Sequence, residues 1–112
     1  MAVKLRRADM VFSRWIKKRD LYTCQRCGNK HMIKSQGLHC CHFISRRNEA
    51  TRFDPDNACS ICYGCHSWFH QNPKEHENFM VNRLGVEIFN ALQDRRRKVV
   101  KKNDKEIIER YK

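Results

Sequence analysis

Two Cys-x-x-Cys pairs constrain this chain more than anything else in it. Cys24-Gln-Arg-Cys27 is followed far downstream by Cys62-Tyr-Gly-Cys65. Each pair presents two thiolates to one tetrahedral ion, and two pairs complete its shell. The spacing therefore predicts a structural Zn²⁺ held by Cys24, Cys27, Cys62 and Cys65. Gly28 follows the second thiolate directly and supplies the flexible residue such turns often need. Cys59-x-x-Cys62 has the same spacing as Cys62-x-x-Cys65. The later register is preferred because Tyr63-Gly64 gives its turn a flexible residue. Positions 28–61 separate the pairs, too long a stretch for a simple zinc ribbon, so a further element is inserted there.

Seven cysteines are an odd count, and no apolar signal core stands behind Met1-Ala-Val-Lys-Leu-Arg-Arg. Both points favour metal-bound thiolates in a reducing compartment over a disulfide framework, with no secretion signal. No apolar run approaches the ~20 residues a bilayer requires, so no membrane span is expected. Lysine and arginine total 24 against 12 acidic residues, a formal charge of +12. A zinc tetrathiolate adds about −2 and leaves the chain strongly basic. On charge alone a polyanionic partner follows, nucleic acid first and a membrane surface second, and the partner expected is DNA with no membrane. At 112 residues the chain has room for one core, and residues 1–112 are read as a single domain.

The flanks read as helices. Over 9–19, Val11, Phe12, Trp15 and Ile16 share one face, with Asp9 as a cap and Arg14, Lys17, Lys18 and Arg19 mostly off it. Residues 20–72 form the core, with a strand from Leu38 to Ser45 and a segment from Asn57 to Tyr63 leading into a helix that carries His66 and His70. Asn72-Pro73-Lys74-Glu75 starts a helix that buries Phe79, Met80 and Leu84 and stops at Gly85. A further helix from Val86 places Ile88, Phe89, Leu92 and Val99 on one face. Asn103-Asp104-Lys105-Glu106 opens a last helix running to Tyr111. Within 73–112, Arg95, Arg96, Arg97 and Lys98, with Lys101 and Lys102, are too dense for ordinary surface composition and mark a nucleic-acid contact.

Three elements carrying reactive side chains are threaded through the zinc frame: Cys41-His42-Phe43-Ile44-Ser45-Arg46, Arg52-Phe53-Asp54-Pro55-Asp56-Asn57, and Cys65-His66-Ser67-Trp68-Phe69-His70. His66 and His70 stand four apart, so on a helix both imidazoles face one way and suit one metal. A histidine on an apposed strand suits a general base acting on water beside that metal. An asparagine at a turn suits a fixing role through its amide.

The order His42, Asn57, His66, framed by the two Cys-x-x-Cys pairs, resembles the HNH (ββα-metal, His-Me finger) endonucleases over roughly residues 12–90. Cys-His-Phe-Ile-Ser-Arg-Arg, Thr51-Arg52-Phe53-Asp54-Pro55-Asp56-Asn57 and Cys-Tyr-Gly-Cys-His are most similar to small phage and prophage HNH proteins of the NinG/Rap recombination group. The resemblance implies an α+β fold, a small ββα-metal core with structural zinc flanked by N- and C-terminal helices. It implies a metal-dependent DNA endonuclease that hydrolyses phosphodiester bonds, with branched recombination intermediates among its substrates. His42 would be the general base that activates water. Asn57 would stabilise the loop and orient that histidine. His66 and His70 would hold a catalytic divalent cation, Mg²⁺ or Mn²⁺. Arg46, Arg47 and Arg52 would contact phosphate. A phage chain would act in the bacterial host cytoplasm, as a monomer or homodimer, beside phage packaging or recombination proteins.

The chain departs from that pattern at Cys41. Many HNH enzymes place a metal-binding Asp or His immediately before the general base. A thiolate suits softer ions better than Mg²⁺. Cys41 as bystander, Cys41 as ligand of a softer transition metal and a degenerate, inactive site are the three readings the residue leaves, with Cys40 and His39 as spare groups nearby. The competing function is a non-catalytic, zinc-dependent nucleic-acid-binding module of a phage machine. A zinc domain that docks on protein is a third.

Overall fold

The computed structural model describes residues 3–112. Met1 and Ala2, which open the stretch read as lacking a secretion signal, lie outside the described residues. The first helix, α1, spans Arg7–Arg19, two residues longer at its start than its apolar periodicity predicts. Asp9 is not its cap. Arg6 takes that position, and Asp9 reaches back from the first turn to accept the Arg6 backbone N–H at 2.8 Å. Val11, Phe12 and Ile16 are buried, while Trp15 packs at the edge.

The face of α1 is covered mainly by the other end of the chain. Helix α6, Asp104–Tyr111, lays Ile107 and Tyr111 against Phe12 and Phe53. The Tyr111 ring meets Phe12 edge-on at 5.0 Å, and its hydroxyl donates to the Phe53 carbonyl at 3.0 Å. Each large apolar side chain buried here contributes roughly 1.5–3 kcal/mol, which ties the termini together. Asn103 caps α6, its Oδ1 accepting from Lys105 N at 2.9 Å.

Between these helices lies an antiparallel two-stranded sheet, β1 (Leu38–His42) and β2 (Ala58–Cys62), with Cys41 opposite Cys59 and His42 opposite Ala58. The link between the strands holds a short helix α2, Glu49–Arg52, and a 3-10 turn, Pro55–Asn57. The strand expected to reach Ser45 stops at His42. Past that point Asn57 takes over the backbone, accepting Phe43 N–H on its carbonyl at 2.9 Å and Ile44 N–H on its side chain at 2.7 Å.

Helix α3, Tyr63–Gln71, begins where β2 ends. Helix α4, Pro73–Leu84, follows with proline in its first turn and stops at Gly85, whose φ of 84° suits a residue without Cβ. In α4 Met80 is buried, while Phe79 and Leu84 are half-buried. Helix α5 spans Val86–Arg95 and buries Phe89 and Leu92 only. Ile88 is exposed and Val99 lies beyond the helix, fully exposed, which corrects the longer apolar face expected there. The helix ends because its tip is held elsewhere. Arg95 pairs with Asp54 at 2.7 Å and Asp56 at 3.0 Å, and the Arg96 carbonyl accepts from Asn48 at 2.8 Å.

A second apolar cluster sits on the cysteine side of the sheet, formed by Leu38, Cys41, Cys59, Ile61, Cys65 and Phe69 with Cys24. The result is a small α+β fold: a two-stranded sheet, flanking helices and clustered cysteines. No helix among the described residues is long and apolar enough to cross a membrane.

Candidate active site and metal centre

Cys24, Cys27, Cys62 and Cys65 come together. Their four sulfurs all lie within 4.8 Å of one another, a group able to hold a metal ion. The Cys27 and Cys62 sulfurs are 3.8 Å apart. A tetrahedron with Zn–S bonds of about 2.3 Å has an edge close to that length, so the donor set fits Zn²⁺. The first pair sits on a turn in which Gly28 takes φ of 79° and donates to the Cys24 carbonyl at 2.9 Å. The second pair is built otherwise than expected. Gly64 is not a turn residue with positive φ but part of the first turn of α3, with Cys62 as the N-cap. A helix N-terminus favours thiolates through its free N–H groups and dipole. Cys59 lies on β2 outside the group, buried in the apolar cluster.

The electrostatics call for a cation. Burial opposes ionisation of Cys24, but N–H donors of Cys27, Cys62 and Arg26 outweigh it and bring the thiol down to about 7. Burial pushes Cys65 up to about 12 even though Arg26 donates to its sulfur at 3.3 Å. Four thiols this close cannot all ionise alone, and a divalent ion removes the repulsion. Arg26 is fixed for its contact by stacking 3.8 Å over Trp68.

On the other side of α3 a cleft of about 480 Å³ opens. Strand β1 sends His42 into its wall, α3 sends His66 and His70, and α4 sends His76, with Arg46 at the rim. His42 holds Nε2 against the Arg52 carbonyl at 2.9 Å. With a carbonyl as partner, Nε2 is the nitrogen that carries the proton, and Nδ1 is left with its lone pair. Burial lowers the affinity of His42 for a second proton, so the ring is neutral near pH 7.

Asn57 is fully buried and spends its amide on the loop after His42. Its Oδ1 accepts from Ile44 N, and its Nδ2 donates to the Ile44 carbonyl at 2.9 Å and the Thr51 carbonyl at 3.1 Å. The rings of His66 and His70 stack with centroids 5.2 Å apart. His66 Nδ1 pairs with His39 Nδ1 at 2.9 Å, which leaves its Nε2 as the donor atom for a ligand. Burial, then His39 and His70, lower the His66 pKa.

One residue of the cleft, His76, is unmarked in the sequence. His76 stacks flat on Phe69 at 4.2 Å and sets Nε2 3.9 Å from the Cys41 sulfur. Burial and the nearby His66 and His70 lower it to about 4. His39 braces His66 from β1. A lone histidine six positions past His70, across a helix break, has no periodicity that marks it. Apart from the Ser45 hydroxyl, every metal-donor group lining the cleft is an imidazole or a thiol, and no carboxylate lines it.

The basic residues divide. Arg46 lines the cleft and Arg47 is exposed beside it. Arg52 is buried, its guanidinium on Asp9 at 2.6 Å and 2.9 Å and on the Lys4 carbonyl at 2.9 Å. Arg95 is tied to Asp54 and Asp56, Arg96 to Gln93 at 2.8 Å, and Arg97 approaches Asp94 at 3.8 Å. Lys98 is exposed. None of these last four lines the cleft.

Searches among curated proteins and among solved structures gave no match. A family model, described as Bacteriophage Lambda NinG protein, matches residues 4–112. With nearly all of its length matched, this chain belongs to the bacteriophage lambda NinG protein family.

Proposed function

We propose that the chain is a metal-dependent DNA endonuclease, cutting phosphodiester bonds in a cleft built on a ββα unit, β1–β2–α3, and stapled by a Zn²⁺ on Cys24, Cys27, Cys62 and Cys65. The observation that carries the reading is the His42–Arg52 bond: a half-buried, neutral imidazole with one nitrogen spent on a carbonyl and the other left basic, in a cleft shared with His66 and His70. That is the state a general base requires.

In this reading His42 Nδ1 takes a proton from the attacking water. Asn57 acts one step back, fixing the loop whose peptide groups set the position of His42. Arg46, at the cleft rim, and Arg47 beside it bind the phosphate oxygens. Arg52 supports them from below, because its guanidinium is committed to Asp9 while its carbonyl orients His42. His66 and His70 would hold the catalytic cation, with Cys41 and His76 at hand as further donors. Such an ion supplies charge stabilisation for the phosphoryl group and the leaving oxygen. A donor set of imidazole and thiol suits Mn²⁺, Co²⁺ or Ni²⁺ better than Mg²⁺. The remaining basic residues, including Arg97 and Lys98, supply salt-sensitive affinity for the DNA backbone. Branched recombination intermediates and phage recombination or packaging proteins are the substrates and partners this family membership favours.

The test is a supercoiled-plasmid nicking assay on wild type and His42→Ala, with individual divalent cations and with chelator. Open circles from wild type alone, lost on chelation, support the nuclease. If both proteins retard the plasmid on a gel and neither nicks it, the chain is a zinc-dependent nucleic-acid-binding module.

A further inference from the structure

A second concavity, about 610 Å³, shares no residue with the His42 cleft. Its floor is aromatic. Trp15 of α1 meets Tyr111 of α6 edge-on at 5.0 Å, and Tyr22, in the turn after α1, also lines the concavity. Trp15 and Tyr22 are half-buried, and the Arg19 guanidinium lies 5.9 Å over the Trp15 ring. Neither the Trp15 indole N–H nor the Tyr22 hydroxyl has a hydrogen-bond partner among the described residues. Ile33, 67% exposed, adds an apolar wall from the loop after the first cysteine pair.

The rim is cationic. Arg14, Lys17, Lys18 and Lys34 line it, and none has an acidic partner among the described residues. Arg19 also lines it but is spent on Asp20 and on the Pro55 and Ala58 carbonyls. No Asp or Glu side chain lines the concavity, and Lys112, which does line it, is paired with Glu109 at 3.0 Å. Its volume falls in the range of ordinary ligand sites.

We infer that this pocket binds an unpaired nucleotide of single-stranded DNA, the base against Trp15 and Tyr22 and the flanking phosphates on Lys17, Lys18, Lys34 and Arg14. A duplex presents phosphates but hides its base faces, so it would use the cations and waste the rings. A single strand uses both. The unpaired cations make an apolar helix of a partner protein the poorer occupant, and a lining with no Asp or Glu side chain disfavours a basic one. The inference rests on the nucleic-acid half of the reading above and not on its nuclease half.

The test is equilibrium binding of an oligothymidylate about a dozen nucleotides long, without added divalent cation, to the full chain carrying Trp68→Phe, so that Trp15 is the only indole. Oligothymidylate is expected to quench Trp15 emission, and duplex of equal length to compete at least about tenfold less well. Lys18→Glu with Lys34→Glu, both at exposed positions, is expected to weaken oligothymidylate about tenfold or more with the circular dichroism unchanged. An oligouridylate bound as tightly supports the same pocket, since it offers the same base faces and phosphates. Unchanged Trp15 emission, duplex competing equally, or unchanged affinity in the charge-reversed variant overturns the inference. Duplex binding and nicking without single-strand binding defeats this pocket alone. Single-strand binding by a chain that never nicks defeats the nuclease reading alone.

Discussion

Nε2 of His42 lies 2.9 Å from the carbonyl oxygen of Arg52. The same arginine sends its guanidinium the other way, into a two-pronged pair with Asp9 of α1. One residue thus ties the imidazole on the sheet to the helix beneath it, and the position of His42 depends on an ion pair it does not touch.

Asp9→Asn should therefore cost about 3–5 kcal/mol, because it leaves a buried guanidinium without its counter-charge. The pair is also acid-sensitive. Burial alone would raise the Asp9 carboxyl, but Arg52 and the Arg6 N–H outweigh it and hold it below its ordinary 3.8. A carboxyl whose folded pKa is depressed stabilises above the unfolded value and loses that stabilisation as pH falls through the folded one. Urea midpoints should hold down to about pH 4 and fall below it. The acid-induced fall should be smaller in Asp9→Asn.

Asn57→Ala should destabilise by about 3 kcal/mol, since it strips the buried Ile44 N–H and two carbonyls of their partners. Asn57→Asp should be no better: a carboxylate still accepts from Ile44 N but faces the Ile44 and Thr51 carbonyls with no proton to give. Both variants should lower nicking at temperatures where the chain remains folded, as checked by thermal denaturation alongside the assay.

Cys62→Ser and Cys59→Ser separate the two registers available to the second cysteine pair. Cys62 is in the four-sulfur group and Cys59 is not. Zinc content by mass spectrometry should stay near one per chain in Cys59→Ser and drop in Cys62→Ser. Chelation of the wild type should lower its thermal midpoint, because binding to such a site is coupled to folding.

The cleft donors predict the metal preference. Mn²⁺ or Co²⁺ should support nicking at least about tenfold better than Mg²⁺, since no carboxylate lines the cleft. Cys41→Asp places a hard oxygen beside His42 and should narrow that gap. Equal activity with Mg²⁺ in the wild type would mean that Cys41 and His76 take no part in holding the ion.

What the sequence by itself determined is what short-range geometry decides. Each Cys-x-x-Cys pair, the helix starts at Asn72-Pro73 and Asn103, the stop at Gly85 and the net basic charge depend on residues within one turn of each other, or on none, and the four ligands a zinc ion needs join the two pairs. Only the tertiary structure decided the rest. Arg52 and Arg46 read alike as surface cations, yet Asp9, 43 positions earlier, draws one inside. Strand β1 ends at His42 because Asn57 takes its hydrogen bonds, and α5 ends at Arg95 because Asp54 and Asp56 hold that arginine. His76 reaches the cleft only because the break at Asn72 turns α4 back over Phe69. In each case the partner is chosen through space, across a loop or a helix break, where packing and charge pairing leave no period in the chain.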